Sequence, residues 1–257
     1  MKLMILRNTL LITLLLLSLG SSAQKFITSG SITYEARTNV IKSIPWLDEN
    51  DDFFRQIKDQ VPQFSMNYYT LNFSDNKTIY SFLKNTDTKK VPEWYKFSDE
   101  DNIWYNDFGT GKSVDKKAVR WDDTYLIAGD IHPQQWRVYP TDNTVIAGFN
   151  CRKASTVIFD SVYVFAYYTD EIAVSGGPMG LNGLPGMILG VTIPRLATSW
   201  IATSLSLDVA AASITPPVKG GKKKTVEELK TTFNDFKKNW GKEELKYFNP
   251  IYWRTFL

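Results

Sequence analysis

The residue types that support covalent chemistry are scarce in this sequence, and the only cysteine is the first candidate. Cys151 is followed by Arg152 and Lys153 within a segment predicted to be a strand. Adjacent cations lower the pKa of a thiol. Neighbouring residues of a strand, however, point to opposite faces, and a lone cysteine among strand residues is typically a small buried hydrophobe. Cys151 is therefore either a reactive thiol or a core residue.

The only histidine lies in a predicted turn at residues 129–133. Asp130 is close enough in sequence to orient the imidazole of His132, and Cys151 is a candidate partner. The alternative is a histidine on a surface turn. A single histidine and a single cysteine exclude an intramolecular disulfide framework and metal sites built on several such residues. We therefore predict no metal site and no cofactor.

Acidic residues form three short groups, at 99–101, 122–123 and 170–171. Glycoside hydrolysis needs two carboxylates about 5–10 Å apart in a cleft. Sequence separation does not establish that distance, so a hydrolase stays an alternative without an assigned catalytic residue.

A glycine-rich segment at 175–191 is the most distinctive part of the chain. It lacks the Lys-Ser/Thr ending of a phosphate-binding loop. Pro185-Gly186 predicts a type II turn, followed by a strand over 187–193. The segment is either a tight loop that feeds a buried strand or a loop that contacts a ligand or partner. The candidate contact residues are Gly177, Pro178, Gly183, Leu184, Pro185, Gly186, Met187 and Ile188.

Short segments rich in β-branched and aromatic residues dominate the rest of the chain, separated by Gly, Asp and Asn. This pattern is typical of an antiparallel meander, and no alternation of strands and helices indicates a parallel fold. Residues 74–77 form a polar turn between two such segments, which predicts a hairpin. The predicted strands are 31–36, 66–73, 78–83, 102–106, 124–127, 135–138, 145–154, 161–168 and 187–193.

Two helices interrupt the β pattern. The first is predicted over 46–60, with an acidic start and with Pro62 after its end. The second begins after Thr225, which forms a capping box with Glu228. Its apolar stripe predicts a core-facing surface or, alternatively, a partner-binding one; the stripe consists of Val226, Leu229, Phe233, Phe236 and Trp240. The Pro/Gly/Lys-rich stretch 215–224 before it is predicted to be a mobile linker.

Residues 1–23 have the pattern of an export signal. A basic start and a short apolar run precede Ser-Ser-Ala, which predicts cleavage after Ala23. The apolar run is only about half the length that spans a bilayer. We therefore expect a periplasmic or extracellular protein without a membrane span after cleavage. A net charge of +3 over 257 residues does not indicate a nucleic-acid partner.

Several motifs, in order, resemble the GLPGLI family of exported Bacteroidetes proteins. Residues 183–188 (GLPGMI) are similar to the motif that names the family, with Met187 in place of the usual Leu. GSITYE at 30–35 is similar to its opening strand, and GFNCRKA at 148–154 and AYYTDEI at 166–172 are similar to two further family segments. The resemblance covers residues 26–194.

This resemblance implies a fold but no catalytic residue. The family has no established active site, and its members are often encountered in gene neighbourhoods of outer-membrane TonB-dependent transporters. It is similar to the bowl-shaped N-terminal domain of a class of bacterial peptide N-glycosidases, whose hydrolytic domains are separate. We therefore expect a mainly β protein with a curved antiparallel sheet, a half-barrel or bowl. An N-terminal helical insertion and a C-terminal amphipathic helix pack on this sheet.

Four segments follow from these patterns: a signal peptide at 1–23, a β-rich domain at 24–214, a linker at 215–224, and a C-terminal helix and tail at 225–257. The abundance of aromatic residues, with eight Trp, thirteen Tyr and fifteen Phe, suits either a large core or an apolar concavity. The predicted function is a non-catalytic envelope protein that binds an apolar ligand or a protein partner. An accessory role for an outer-membrane transporter fits this prediction, and a structural adaptor or a hydrolase is the alternative.

Overall fold

The computed structural model describes residues 26–44, 50, 52–89, 91–92, 98–119, 123–207, 214–238, 241 and 245–257. The predicted signal peptide lies outside these residues. Twelve strands form one sheet: β1 Gly30–Asn39, β2 Phe64–Ser74, β3 Lys77–Asn85, β4 Ile103–Asp107, β5 Lys112–Ala118, β6 Thr124–Asp130, β7 Arg137–Ile146, β8 Phe149–Ile158, β9 Val162–Thr169, β10 Met187–Ile193, β11 Thr198–Ser206 and β12 Lys222–Lys224. The helices are α1 Asp52–Ile57, α2 Val226–Lys238 and α3 Leu245–Phe256.

The sheet is open and curved, with the strand order β12-β6-β5-β4-β3-β2-β1-β11-β10-β9-β8-β7. All pairs are antiparallel except β12 with β6. The predicted curved antiparallel sheet with two helical additions is confirmed. Between β2 and β3 the chain turns at Asp75 and Asn76, both with positive φ, as the predicted hairpin requires.

The main core lies on one face of the curved sheet. Its fully buried side chains include Tyr34 of β1, Leu71 of β2 and Tyr168 of β9. Tyr80 stacks on Tyr69 and packs edge-on against Tyr34 and Trp104. The aromatic residues of neighbouring strands thus fill the concave side, because each residue faces its cross-strand partner on the same side of the sheet.

The C-terminal helix α3 closes the concave side near β4 and β5. Trp253 and Leu257 belong to the main core cluster. The main-chain oxygen of Leu257 accepts hydrogen bonds from the Trp104 indole at 2.7 Å and from Lys117 Nζ at 2.5 Å. This helix was not predicted as an element, because Pro250 lies inside it and proline normally breaks a helix.

Helix α2 begins as predicted. The Glu228 N–H donates to Thr225 Oγ1 at 3.1 Å, and the Thr225 N–H donates to Glu228 Oε2 at 2.8 Å, which completes the capping box. Of the predicted stripe, Leu229 and Phe233 pack in a second cluster with β6 and α3. Phe236 is 48% exposed, and Trp240 lies outside the described residues.

Three predicted boundaries change. The strand predicted over 145–154 is wrong, since the chain reverses at Ala147 and Gly148, whose φ values of 49° and 87° suit a tight hairpin between β7 and β8. The first helix spans only Asp52–Ile57 within the described residues, and a hydrogen-bonded turn follows it up to Val61. Within the stretch predicted as a linker, Lys222–Lys224 pair in parallel with β6 as β12.

No helix among the described residues has both the length and the apolar character needed to cross a membrane.

Candidate functional site

The glycine-rich loop, residues 175–186, is mostly buried where it enters β10. Of the eight candidate contact residues, only Gly183 and Pro185 are exposed; Gly177, Pro178, Leu184, Gly186, Met187 and Ile188 are buried. A Cβ on Gly177 would lie 2.8 Å from the Ile188 Cβ. Glycine is needed there because the backbone passes so close to β10.

The turn at Pro185-Gly186 is tighter than the predicted type II turn, which is therefore wrong. The Gly186 N–H donates to the Leu184 carbonyl at 2.8 Å, a bond that closes over three residues around Pro185. Gly186 has a φ of +138°, and a Cβ on it would lie 2.0 Å from the Thr169 carbonyl oxygen. The reason for the tighter turn is the direct contact of this loop with the end of β9.

Side chains of the segment 133–136 hold the loop in place. The Trp136 indole donates to the Asn182 carbonyl at 2.8 Å, and the Asn182 N–H donates to Gln134 Oε1 at 2.8 Å. The Gly183 N–H donates to Ser175 Oγ at 3.2 Å. These bonds fix the loop as one wall of a cavity described below.

Cys151 occupies the environment of a buried hydrophobe. Its side chain is fully buried, and burial is the main cause that raises the pKa of its thiol to about 11. The neighbouring cations point elsewhere: Arg152 forms an ion pair with Asp170, and Lys153 Nζ lies 3.3 Å from Asp142 Oδ2. The conditions that produce a thiolate nucleophile are not met at Cys151.

His132 is exposed, and Asp130 Oδ1 accepts a hydrogen bond from Lys112 Nζ at 2.5 Å. That bond, with a smaller electrostatic effect of His132, lowers the pKa of Asp130. Cys151 belongs to the main buried core, so it does not share the exposed environment of His132. Of the acidic groups, Asp99–Asp101 lie in a short 3₁₀ helix, Asp122 lies outside the described residues, and Asp170 pairs with Arg152. The described residues contain no cluster of His, Cys, Asp or Glu suited to a metal ion.

Strand β5 separates two cavities. Ser113, Asp115 and Lys117 face the concave side, which we call the inner face, because Asp115 lies opposite Trp104. Val114 and Lys116 alternate with them and face the outer side. The inner face of β5 is thus polar at all three positions, whereas its outer face carries one apolar residue and one lysine.

The inner cavity has a volume of about 270 Å³. Its floor is the inner face of β4–β6, and its walls come from residues 131–134, from residues 179–182 of the glycine-rich loop and from the end of α3. Asp115 is its central acidic group, with 25% of its side chain exposed. Burial is the largest cause that raises its pKa to about 6, against the opposing effects of Lys117 and the Tyr105 N–H.

The outer groove has a volume of about 450 Å³ and lies on the other side of β5 and β6. Its floor consists of Val114, Leu126 and Ala128, and the chain at 216–218 covers it with two prolines and Val218. Its rim carries the polar residues Lys223, Lys224, Thr225 and Glu228. The groove is mainly apolar and is wide enough for a small ligand.

The aromatic content allowed an apolar concavity, but the residues that line the two cavities were not predicted from the sequence. The segment Ser113-Val114-Asp115-Lys116-Lys117 has a single apolar residue, so it lacks the apolar/polar alternation that would have indicated β5. It was missed because three lysines in Lys112–Ala118 give the segment the composition of a solvated loop. The partners that complete both cavities come from distant parts of the chain.

Comparison with known proteins gives a partial family match and a shared fold. Residues 134–190 match the model of a family described as a protein of unknown function (Porph_ging). This segment runs from Gln134, which anchors the glycine-rich loop, into β10. None of the curated proteins matches this chain.

Two solved structures of PNGF-II are similar to this chain. The one in space group C2 has a TM-score of 0.50 at 15% identity, and the one in P21 has a TM-score of 0.47 at 16% identity. Each alignment covers 79% of this chain and 32% of the PNGF-II chain. The chain therefore spans about a third of that protein, and the C2 structure shows a likeness of fold alone.

Proposed function

We propose that this chain is an exported, non-catalytic protein of the cell envelope that binds an apolar ligand in the outer groove. The export pattern of residues 1–23 and the resemblance to the GLPGLI family support the location. The apolar floor and cover of the outer groove support the binding function, and they are the observation that carries the proposal. The burial of Cys151 and the raised pKa of its thiol favour binding over catalysis.

The groove is preformed on rigid elements. Leu126 is buried in β6, and β12 extends the same sheet so that Lys223 lies beside Leu126. A Cβ on Gly221 would lie 2.8 Å from the Tyr125 carbonyl carbon, so the covering chain lies close against β6. A binding site on such a scaffold avoids much of the entropy loss of ordering a loop.

The charges at the rim favour an acidic head group on the ligand. Lys223 is exposed and has no ion pair among the described residues, whereas Glu228 is engaged in the capping box of α2. Lys224 Nζ donates to Thr232 Oγ1 at 2.7 Å and lies 4.7 Å from the centre of the Tyr125 ring. The proposed ligand is a single-chain fatty acid or a similar anionic amphiphile.

Titration with decanoate tests this function, with 1-decanol as the uncharged probe of equal chain length. Calorimetry on the wild type is expected to show saturable binding of decanoate and weaker binding of 1-decanol. Ala128 is exposed on the groove floor, so Ala128→Trp fills the groove without disturbing the core. This variant is expected to bind decanoate at least about tenfold more weakly, a loss of about 1.4 kcal/mol.

Ala173→Trp is the matched control, because Ala173 is an exposed alanine that does not line the groove. It is expected to bind decanoate like the wild type. Equal affinity of the Ala128→Trp and Ala173→Trp variants, or the lack of any saturable binding to the wild type, would contradict the proposal.

An adaptor function is the second candidate, and the edge strand β7 favours it. β7 pairs only with β8, and most of its residues are exposed. An exposed edge strand can pair with an added strand of another chain, and an outer-membrane TonB-dependent transporter is the expected partner. This function predicts that a protein chain, rather than a small molecule, remains bound during purification.

A further inference from the structure

Three polar side chains form a continuous row on the floor of the inner cavity. Asn106 of β4 lies directly opposite Ser113 of β5, and Asp115 follows two residues later on the same face. All three line the inner cavity. Their position follows from the register of β4 and β5 rather than from a flexible loop.

These side chains have few hydrogen bonds within the protein. Asn106 is only 5% exposed, yet among the described residues its side-chain amide has no hydrogen-bond partner, and neither does the Ser113 hydroxyl. The Asp115 carboxylate accepts a single hydrogen bond, from the Tyr105 N–H at 3.3 Å. Because all three side chains line the cavity, their remaining acceptor positions are available to a molecule inside it.

The nearest cation already has other contacts. Lys117 Nζ lies 3.8 Å from Asp115 Oδ2, beyond normal hydrogen-bond length. It donates instead to the main-chain oxygen of Leu257 at 2.5 Å and lies 4.1 Å from the centre of the Trp104 ring. Lys117 therefore leaves acceptor positions of the carboxylate open.

The rest of the cavity wall combines apolar side chains with several polar and charged ones, among them Lys117 and His132. Ile127 rises from the floor, and Phe159, Met179, Leu181 and Phe256 line the walls. A volume of about 270 Å³ lies just below the range of about 300–1,000 Å³ of sites for drug-sized ligands. A ligand in this space is small and has a polar end and an apolar body.

We propose that the inner cavity binds a small primary amine with an apolar or aromatic body. An ammonium group carries three N–H donors, and Asp115, Asn106 Oδ1 and Ser113 Oγ supply three acceptors. The apolar body packs against Phe159 and Phe256. This site is independent of the outer groove, since the two lie on opposite faces of β5.

Phenethylamine and 2-phenylethanol provide a matched pair of probes, because they differ only in the ammonium and hydroxyl groups. In calorimetric titrations of the wild type, phenethylamine is expected to bind at least about tenfold more tightly than the alcohol, as hydrogen bonds to a charged group are the stronger ones. Asp115→Asn keeps the size of the side chain and removes its charge. It is expected to abolish this preference.

Ser113→Ala provides a second variant at a half-buried position, in case Asp115→Asn does not fold. It is expected to weaken phenethylamine binding several-fold. Asp142→Asn, on exposed β7, and Ala128→Trp, in the outer groove, are the controls and are expected to leave this binding unchanged.

Three results would overturn the amine site: equal affinities of wild-type protein for both probes, an unchanged preference in Asp115→Asn, or no saturable binding of phenethylamine. None of them affects the outer groove, whose ligand and variant are different.

Discussion

The carboxylate of Asp115 links the inner cavity to the stability of the folded protein. Burial raises its pKa to about 6, above the value of about 3.9 that an unfolded chain has. Between about pH 4 and pH 6 the folded state therefore holds a proton that the unfolded state has released. Stability from this group is present at low pH and is lost as the pH rises through that window.

Asp115→Asn tests this linkage, because an amide does not titrate. The free energy of unfolding of the variant, relative to the wild type, is expected to rise between pH 4 and pH 7 by up to about 3 kcal/mol. Urea unfolding at four pH values measures it. The other charged or titratable residues that line the same cavity are Lys117, Asp130 and His132. Asp142→Asn is the control, because it removes a carboxylate outside the cavity. If the free energy of unfolding depends on pH in the same way in Asp115→Asn and in the wild type, burial does not raise the pKa of Asp115.

The glycine-rich loop illustrates which parts of an element the sequence can predict. Strand β10 has the predicted bounds, since an apolar run lies between Gly186 and Pro194. The type of turn before it was not predictable, because the contact of Gly186 with the end of β9 decides it. Likewise the hairpin at Ala147 was missed, since a non-glycine residue with positive φ leaves little trace in the sequence.

Gly186→Ala tests the role of that turn as a structural element. A Cβ at this position would overlap the Thr169 carbonyl oxygen at 2.0 Å, and φ is +138°. We expect a loss of about 2–4 kcal/mol of unfolding free energy from overpacking and strain together. Chemical denaturation of the purified variant measures it.

Gly111→Ala separates the two causes. Gly111 also has a positive φ, of +69°, but no heavy atom lies within 4 Å of its Cβ position. Gly111→Ala is therefore expected to lower the unfolding free energy by backbone strain alone, about 1–2 kcal/mol. If Gly186→Ala costs no more than Gly111→Ala, the close contact between the loop and β9 is not rigid.

At the scale of the whole molecule, the curved antiparallel sheet was predictable and its cavities were not. The alternation of Ile32, Tyr34 and Ala36 in β1 indicates one buried face, and similar strands along the chain indicate one large sheet. Helix α3 and strand β5 carry weak local signals, because Pro250 and Lys117 contradict the usual composition of a helix and of a core. Their positions depend on tertiary contacts, such as that of Lys117 with Leu257.

The central claim is our proposal that the protein binds an apolar ligand in the outer groove. Native mass spectrometry tests this claim most directly. Wild-type protein and the Ala128→Trp variant would be purified in mild detergent from the cells that produce them. We predict that the wild type retains a small acidic amphiphile, that its chain begins at Gln24 after cleavage of the signal peptide, and that the variant has the bare mass. A wild type at the bare mass, or one that retains only another protein chain, would contradict the claim.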